Sequence, residues 1–75
     1  MPRYFFDVYD RGRRLRDDIG MDWSDEGSAI HEASLIIWQL LENARAEDRP
    51  GPVKVGIRTA TGACLYETST SADGG

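Results

Sequence analysis

The residues of this 75-residue chain able to do chemistry are one histidine, one cysteine and a run of carboxylates. His31 is the first catalytic candidate, because histidine as a residue type suits acid-base work at neutral pH, but a general base also needs a nucleophile or an orienting carboxylate within reach. On a helix its neighbours are Gly27, Ser28, Ser34 and Leu35, so His31 reads as an exposed or interface histidine. Cys64 falls on a segment with strand character, on the face away from the helix, and reads as a small half-buried side chain. Asp17, Asp18, Asp22 and Asp25 could offer oxygens to calcium or magnesium. Their spacing does not match the alternating ligands of an EF-hand loop, and Ile19, Met21 and Trp23 stand between them. The stretch therefore reads as a solvated acidic loop that ends in a helix cap. A lone Cys and a lone His, far apart, cannot complete a nitrogen and sulfur zinc shell. Gly12, Gly20, Gly51 and Gly62 each stand alone at an expected turn, without a phosphate-cradling motif. No pair of residues has the spacing of acid-base or nucleophilic catalysis, so no catalytic, cofactor-binding or metal-binding residue is assigned and the chain is read as non-enzymatic.

The elements that position these residues follow from periodicity. Tyr4, Phe6 and Val8 alternate with Phe5, Asp7 and Tyr9, a first strand. Asp10-Arg11-Gly12-Arg13 is a tight turn in which Gly12 can take a positive φ. Arg14 to Asp17 is a short second strand with only Leu15 to bury, charged as an edge strand should be. Asp18 to Trp23 connects to a helix over roughly residues 24–47, capped by Ser24 or Asp25 and stopped by Arg49-Pro50-Gly51-Pro52. Val53, Val55, Ile57 and Thr59 alternate as a third strand, Ala60-Thr61-Gly62 makes a three-residue turn, and Ala63 to Thr68 returns as a fourth. If Thr59 pairs with Ala63, Ile57 lies across from Leu65 and both face the helix. The order ββαββ specifies an α+β two-layer sandwich: one four-stranded antiparallel sheet with a helix across one face. Strand order 2-1-3-4 keeps neighbours antiparallel and the crossover right-handed, with 2-1-4-3 as the alternative. Residues 1–68 form a single domain, and 69–75, with little to bury, a flexible tail.

The helix carries two apolar faces. At about 100° per residue, Ala29, Ile30, Ala33, Ile36, Ile37, Leu40, Leu41 and Ala44 share one arc, the core-facing stripe. Opposite them stand His31, Leu35 and Trp38, with Glu42 continuing the row. A domain this short buries only about 60% of its unfolded surface, and with one cysteine it cannot form an internal disulfide. Self-association is the remaining source of stability, as a two-fold dimer through His31, Leu35 and Trp38 with Trp23 nearby. A different protein partner would fit the same surfaces.

The lone thiol, the lack of a signal peptide and the absence of a long apolar run point to a cytoplasmic protein that does not enter membranes. The net charge of −4 weighs against general nucleic-acid affinity. It is unevenly spread, with +3 over residues 1–16 and −6 over residues 17–32. Alternation nevertheless places Arg3, Phe5, Asp7, Tyr9, Lys54, Arg58, Cys64 and Tyr66 on the open sheet face. Aromatics interleaved with cations could clamp single-stranded nucleic acid, and this is the alternative reading. Phe5, Tyr9 and Tyr66 are equally the alternative protein interface.

The opening Met1-Pro2-Arg3-Tyr4-Phe5-Phe6-Asp7-Val8 resembles that of a family of small bacterial proteins known as domain of unknown function 6894. The resemblance extends to Asp10 and Gly12, to Asp18-Ile19-Gly20, to Asp25 before an alanine-bearing helix, and to Val53, Val55, Ile57, Gly62 and Leu65. It covers nearly the whole chain. The chain departs from the pattern in having Thr59, Ala60 and Thr61 where an acidic residue is usual, and in Trp38 mid-helix. The family implies a fold and a bacterial setting, and brings no activity.

Overall fold

A computed structural model describes residues 2–73. The sheet is built from β1 (Arg3–Asp10), β2 (Arg13–Leu15), β3 (Met21–Asp22), β4 (Gly51–Thr59) and β5 (Cys64–Ala72), and the one helix is α1 (Glu26–Glu47). The order is β2-β1-β4-β5, all antiparallel, with β3 joining β1 on the same edge as β2. This is the expected α+β sandwich and strand order with a fifth, two-residue strand added. The extra strand forms because the loop expected after β2 folds back and pairs Arg3 with Asp22 and Tyr4 with Met21.

The turns follow from local chemistry. Arg11 (φ 48°) and Gly12 (φ 101°) both take positive φ, the signature of the two-residue hairpin turn that matches strand twist. At the other hairpin, Gly62 (φ 93°) donates to the Thr59 carbonyl while the Thr59 amide donates to Ala63, so the expected Thr59–Ala63 pairing forms. Asp25 is the helix cap, its carboxylate accepting from the Ser28 amide at 2.7 Å. The helix ends as Asp48 turns left-handed (φ 50°), two residues before Pro50.

Helix and sheet meet through small residues: Ala29, Ala33, Leu40 and Ala44 on α1 against Val53, Val55 and Ile57 on β4, with Tyr4 and Ala72 completing the buried set. Tyr4, Leu40, Val55 and Ile57 are buried as the periodicities require, whereas Phe6, Val8, Ile37 and Leu65 are only partly so. The reason is an offset. The helix lies over β4 and β5 and touches β1 only at its margin. Leu15 and Met21, the cross-strand partners of Val8 and Tyr4, stay exposed on the uncovered side.

β5, the fourth strand expected from the sequence, departs from that expectation in two ways. Residues 69–72 are not a tail: they extend β5, pairing Ser69 with Lys54 and Ala72 with Gly51, and Ala72 is buried. Backbone pairing to a long central strand orders a segment whose side chains alone would not. The tail expected beyond Asp73 lies outside the described residues. Second, a bulge between Ile57 and Arg58 makes Cys64 face Arg58 and Tyr66 face Ile57. The extra residue, Leu65, shifts the phase of β5 by one. Tyr66 thereby turns to the helix side and packs against the core.

Candidate functional site

The open sheet face does gather Arg3, Phe5, Asp7, Tyr9, Lys54, Arg58 and Cys64, but most of its charges are already spent. Phe5 faces Arg58 across the β1–β4 pair, and the guanidinium carbon lies 4.9 Å from the centre of the Phe5 ring, within cation–π range. The same guanidinium makes a two-pronged bond to Asp7 at 2.8 and 3.1 Å and donates to the Asp17 carbonyl at 2.8 Å. The Arg58 bonds hold the Asp7 carboxyl below its ordinary range. Arg3 is likewise engaged, donating to Asp22 at 3.2 Å and to the Ile19 carbonyl at 2.8 Å.

Asp17 anchors this arrangement. Its carboxylate accepts from the amides of Gly20 (2.9 Å), Phe6 (3.0 Å) and Ile19 (3.0 Å), while its own amide donates to Asp7 at 3.0 Å. The Gly20 bond foremost, with those from Phe6 and Ile19, lowers its pKa. Gly20 is required beside it: φ is +76°, and a Cβ would stand 2.8 Å from Phe5 Cε2 and 2.9 Å from Arg3 Cγ. The acidic stretch is thus tied rather than simply solvated. Asp17 clips the loop, Asp22 meets Arg3, Asp18 meets Arg16 at 3.4 Å, and Asp25 caps the helix. Among the described residues no three His, Cys, Asp or Glu side chains are placed to hold a metal ion.

Arg11 is a second tie that sequence reasoning missed. Its side chain, 6% exposed, bonds Asp10 at 2.6 and 3.2 Å, Glu47 at 3.0 Å and the Arg49 carbonyl at 3.1 Å. It pins the first hairpin to the end of the helix. The only sequence signal was its place beside a turn glycine.

Tyr9 makes no side-chain hydrogen bond among the described residues, and it faces Arg14 on one side and Lys54 on the other. A shallow concavity of about 800 Å³ runs past these three, Arg16, Ser69 and Ser71. Lys54 lies 3.8 Å from Glu67. Cys64 is exposed on the open face rather than half-buried, its thiol directed to the Tyr66 carbonyl at 3.8 Å.

On the helix, His31, Leu35 and Trp38 all lie exposed, Leu35 at 49% and Trp38 at 62%. The Ser34 hydroxyl bonds back to the Ile30 carbonyl instead of to His31. Trp23 is not part of this outer row. It packs edge-on against Phe6, ring centres 6.2 Å apart, with its indole nitrogen enclosed and unpartnered.

A family model described as Domain of unknown function (DUF6894) matches residues 3–71. No curated protein and no solved structure matches the chain.

Proposed function

Since the chain belongs to the DUF6894 family, which carries no assigned activity, we propose from its surfaces that it is a non-enzymatic, self-associating interaction module of the bacterial cytoplasm. The observation that carries this reading is the exposure of Leu35 and Trp38 on the outer side of a helix whose other side already fills the core. Large apolar side chains grouped on a polar surface mark contact sites, and tryptophan is the residue most enriched where binding energy concentrates. Burial of the indole in a two-fold contact would stabilise the pair by about 1.5 to 3 kcal/mol. Light scattering at high micromolar concentration is the test: a dimer is expected, and Trp38→Glu should leave a folded protein that pairs much more weakly. A monomeric parent protein refutes the reading; an undiminished dimer after Trp38→Glu moves the contact from the helix to the sheet. A second reading, single-stranded nucleic-acid or regulatory binding, is favoured by Tyr9 standing between Arg14 and Lys54 over an open concavity. It is narrower than the sequence implied, because Arg3, Phe5 and Arg58 are engaged within the chain and Tyr66 lies on the other face.

A further inference from the structure

The two edges of the sheet are finished differently. One is broken into a three-residue and a two-residue strand, and between them the Asp17 carboxylate occupies the outward amide of Phe6. The other is β5, nine residues long, with Glu67 as its single charge, no proline, and no irregularity from Tyr66 to Ala72. An edge of that length, with one charge, no break over those seven residues and no strand beyond it among the described residues, is a template for another strand.

The strand registers fix the direction of its backbone groups. The Pro52 carbonyl accepts from the Arg11 amide, so Pro52 turns its backbone toward β1 and its partner across β5, Ser71, turns its own away from the sheet. Phe6 gives the same phase: its amide faces Asp17, so Ile57 opposite it faces β5 and bonds Tyr66. Alternation then leaves the N–H and C=O of Glu67, Ser69 and Ser71 pointing outward.

We infer that a second copy of the chain pairs antiparallel along this edge, β5 against β5, to make one continuous sheet. The inference rests on the self-association reading for the fact of pairing, and puts the contact on the β5 edge in place of the helix row. A two-fold axis at Ser69 pairs Ser69 with its own copy, and Glu67 with Ser71 of the mate. On the helix side it sets Thr68 against Thr70. No like charges meet, and hydroxyl pairs of this kind favour a ladder. An axis at Glu67 would set two carboxylates face to face, and one at Ser71 would shorten the ladder. Because α1 lies over β4 and β5, this pairing also brings the two helices side by side over the joined sheet.

The experiment is Ser69→Pro together with amide hydrogen exchange of the parent protein. The Ser69 N–H points out, so its loss removes no bond within the chain, while proline blocks the ladder. A folded Ser69→Pro protein with dimer affinity reduced at least about tenfold (about 1.4 kcal/mol) supports the pairing. Slowed exchange at Glu67, Ser69 and Ser71 that grows with protein concentration supports it independently, and decides the matter if the proline variant does not fold. A parent dimer in which these three amides exchange freely, or one untouched by Ser69→Pro, overturns the edge pairing and leaves self-association standing. A parent protein that is monomeric throughout overturns both.

Discussion

Replacing Asp17 with alanine removes one carboxylate and three acceptor contacts at once. The Phe6 amide sits mid-strand and part-buried, and it loses its partner at 3.0 Å. Leaving such a donor unsatisfied costs about 1 to 3 kcal/mol. The Gly20 amide, also part-buried, and the exposed Ile19 amide add roughly 0.5 to 1 kcal/mol between them. The expected loss is therefore about 2 to 4 kcal/mol by urea denaturation, with β3 released from β1 and its amides exchanging faster. Asp17→Asn keeps one carbonyl oxygen but turns an amide toward backbone donors, and should lose about half as much. The folded pKa of Asp17 is lowered, first by the Gly20 amide. Its contribution is therefore fully present above the ordinary carboxylate value of about 3.9 and disappears as pH falls through that value toward the folded one. Stability of the parent protein should drop from about pH 5 downward, and more shallowly in Asp17→Ala. A variant within about 0.5 kcal/mol of the parent, or one with the same acid slope, would refute the role given to this residue.

Leu40 is the largest helix side chain in the buried set, 8% exposed, and Leu40→Ala should destabilise by about 2 to 5 kcal/mol. Thermal melting followed by circular dichroism reads this directly, and a loss under about 1 kcal/mol would reject the packing described for α1. If the open face around Tyr9 binds single-stranded nucleic acid, a fluorescence titration with mixed oligonucleotides at low salt should show binding that weakens steeply as salt rises. No binding there removes that reading, and retention of binding in Tyr9→Ala with Lys54→Ala would locate it elsewhere.

The fold was legible because two periodicities agreed. Tyr4, Val55, Ile57 and Leu40 are buried where alternation and helix phase require. What escaped was long-range or one residue in size. Nothing in Asp17-Asp18-Ile19-Gly20 announces that the Phe6 amide, eleven residues earlier, will be its partner, since that pairing exists only after β2 has turned the chain back. The bulge at Leu65 has no local signal of the kind a glycine gives, and a single inserted residue was enough to carry Tyr66 from the open face to the core. The strand character of Ser69 to Ala72 is supplied by β4 alongside it. Of the helix row, His31, Leu35 and Trp38 stand exposed where the wheel placed them, while Trp23, placed by proximity in sequence alone, packs against Phe6.

The distribution of ties explains which surfaces remain free for a partner. A core made largely of alanine and valine buries little area per residue, and total stability for 75 residues is on the order of 4 to 11 kcal/mol. Polar clips therefore carry weight here that a larger core would carry elsewhere. Arg58 with Asp7 and Asp17 fastens the loop beneath β1, and Arg11 with Asp10 and Glu47 fastens the hairpin to the helix. Both clips lie toward the β1 side, where the helix gives least cover. Along Tyr66 to Ala72 on the β5 side the ion pair among the described residues is the half-exposed Lys54–Glu67 contact at 3.8 Å, and the helix exposes Leu35 and Trp38. Carboxylates held by guanidinium groups and amides are poor proton carriers near neutral pH, because each such contact favours the charged form. Asp7, Asp10 and Asp17 are held in this way, so these three carboxylates serve the domain as ties between its elements.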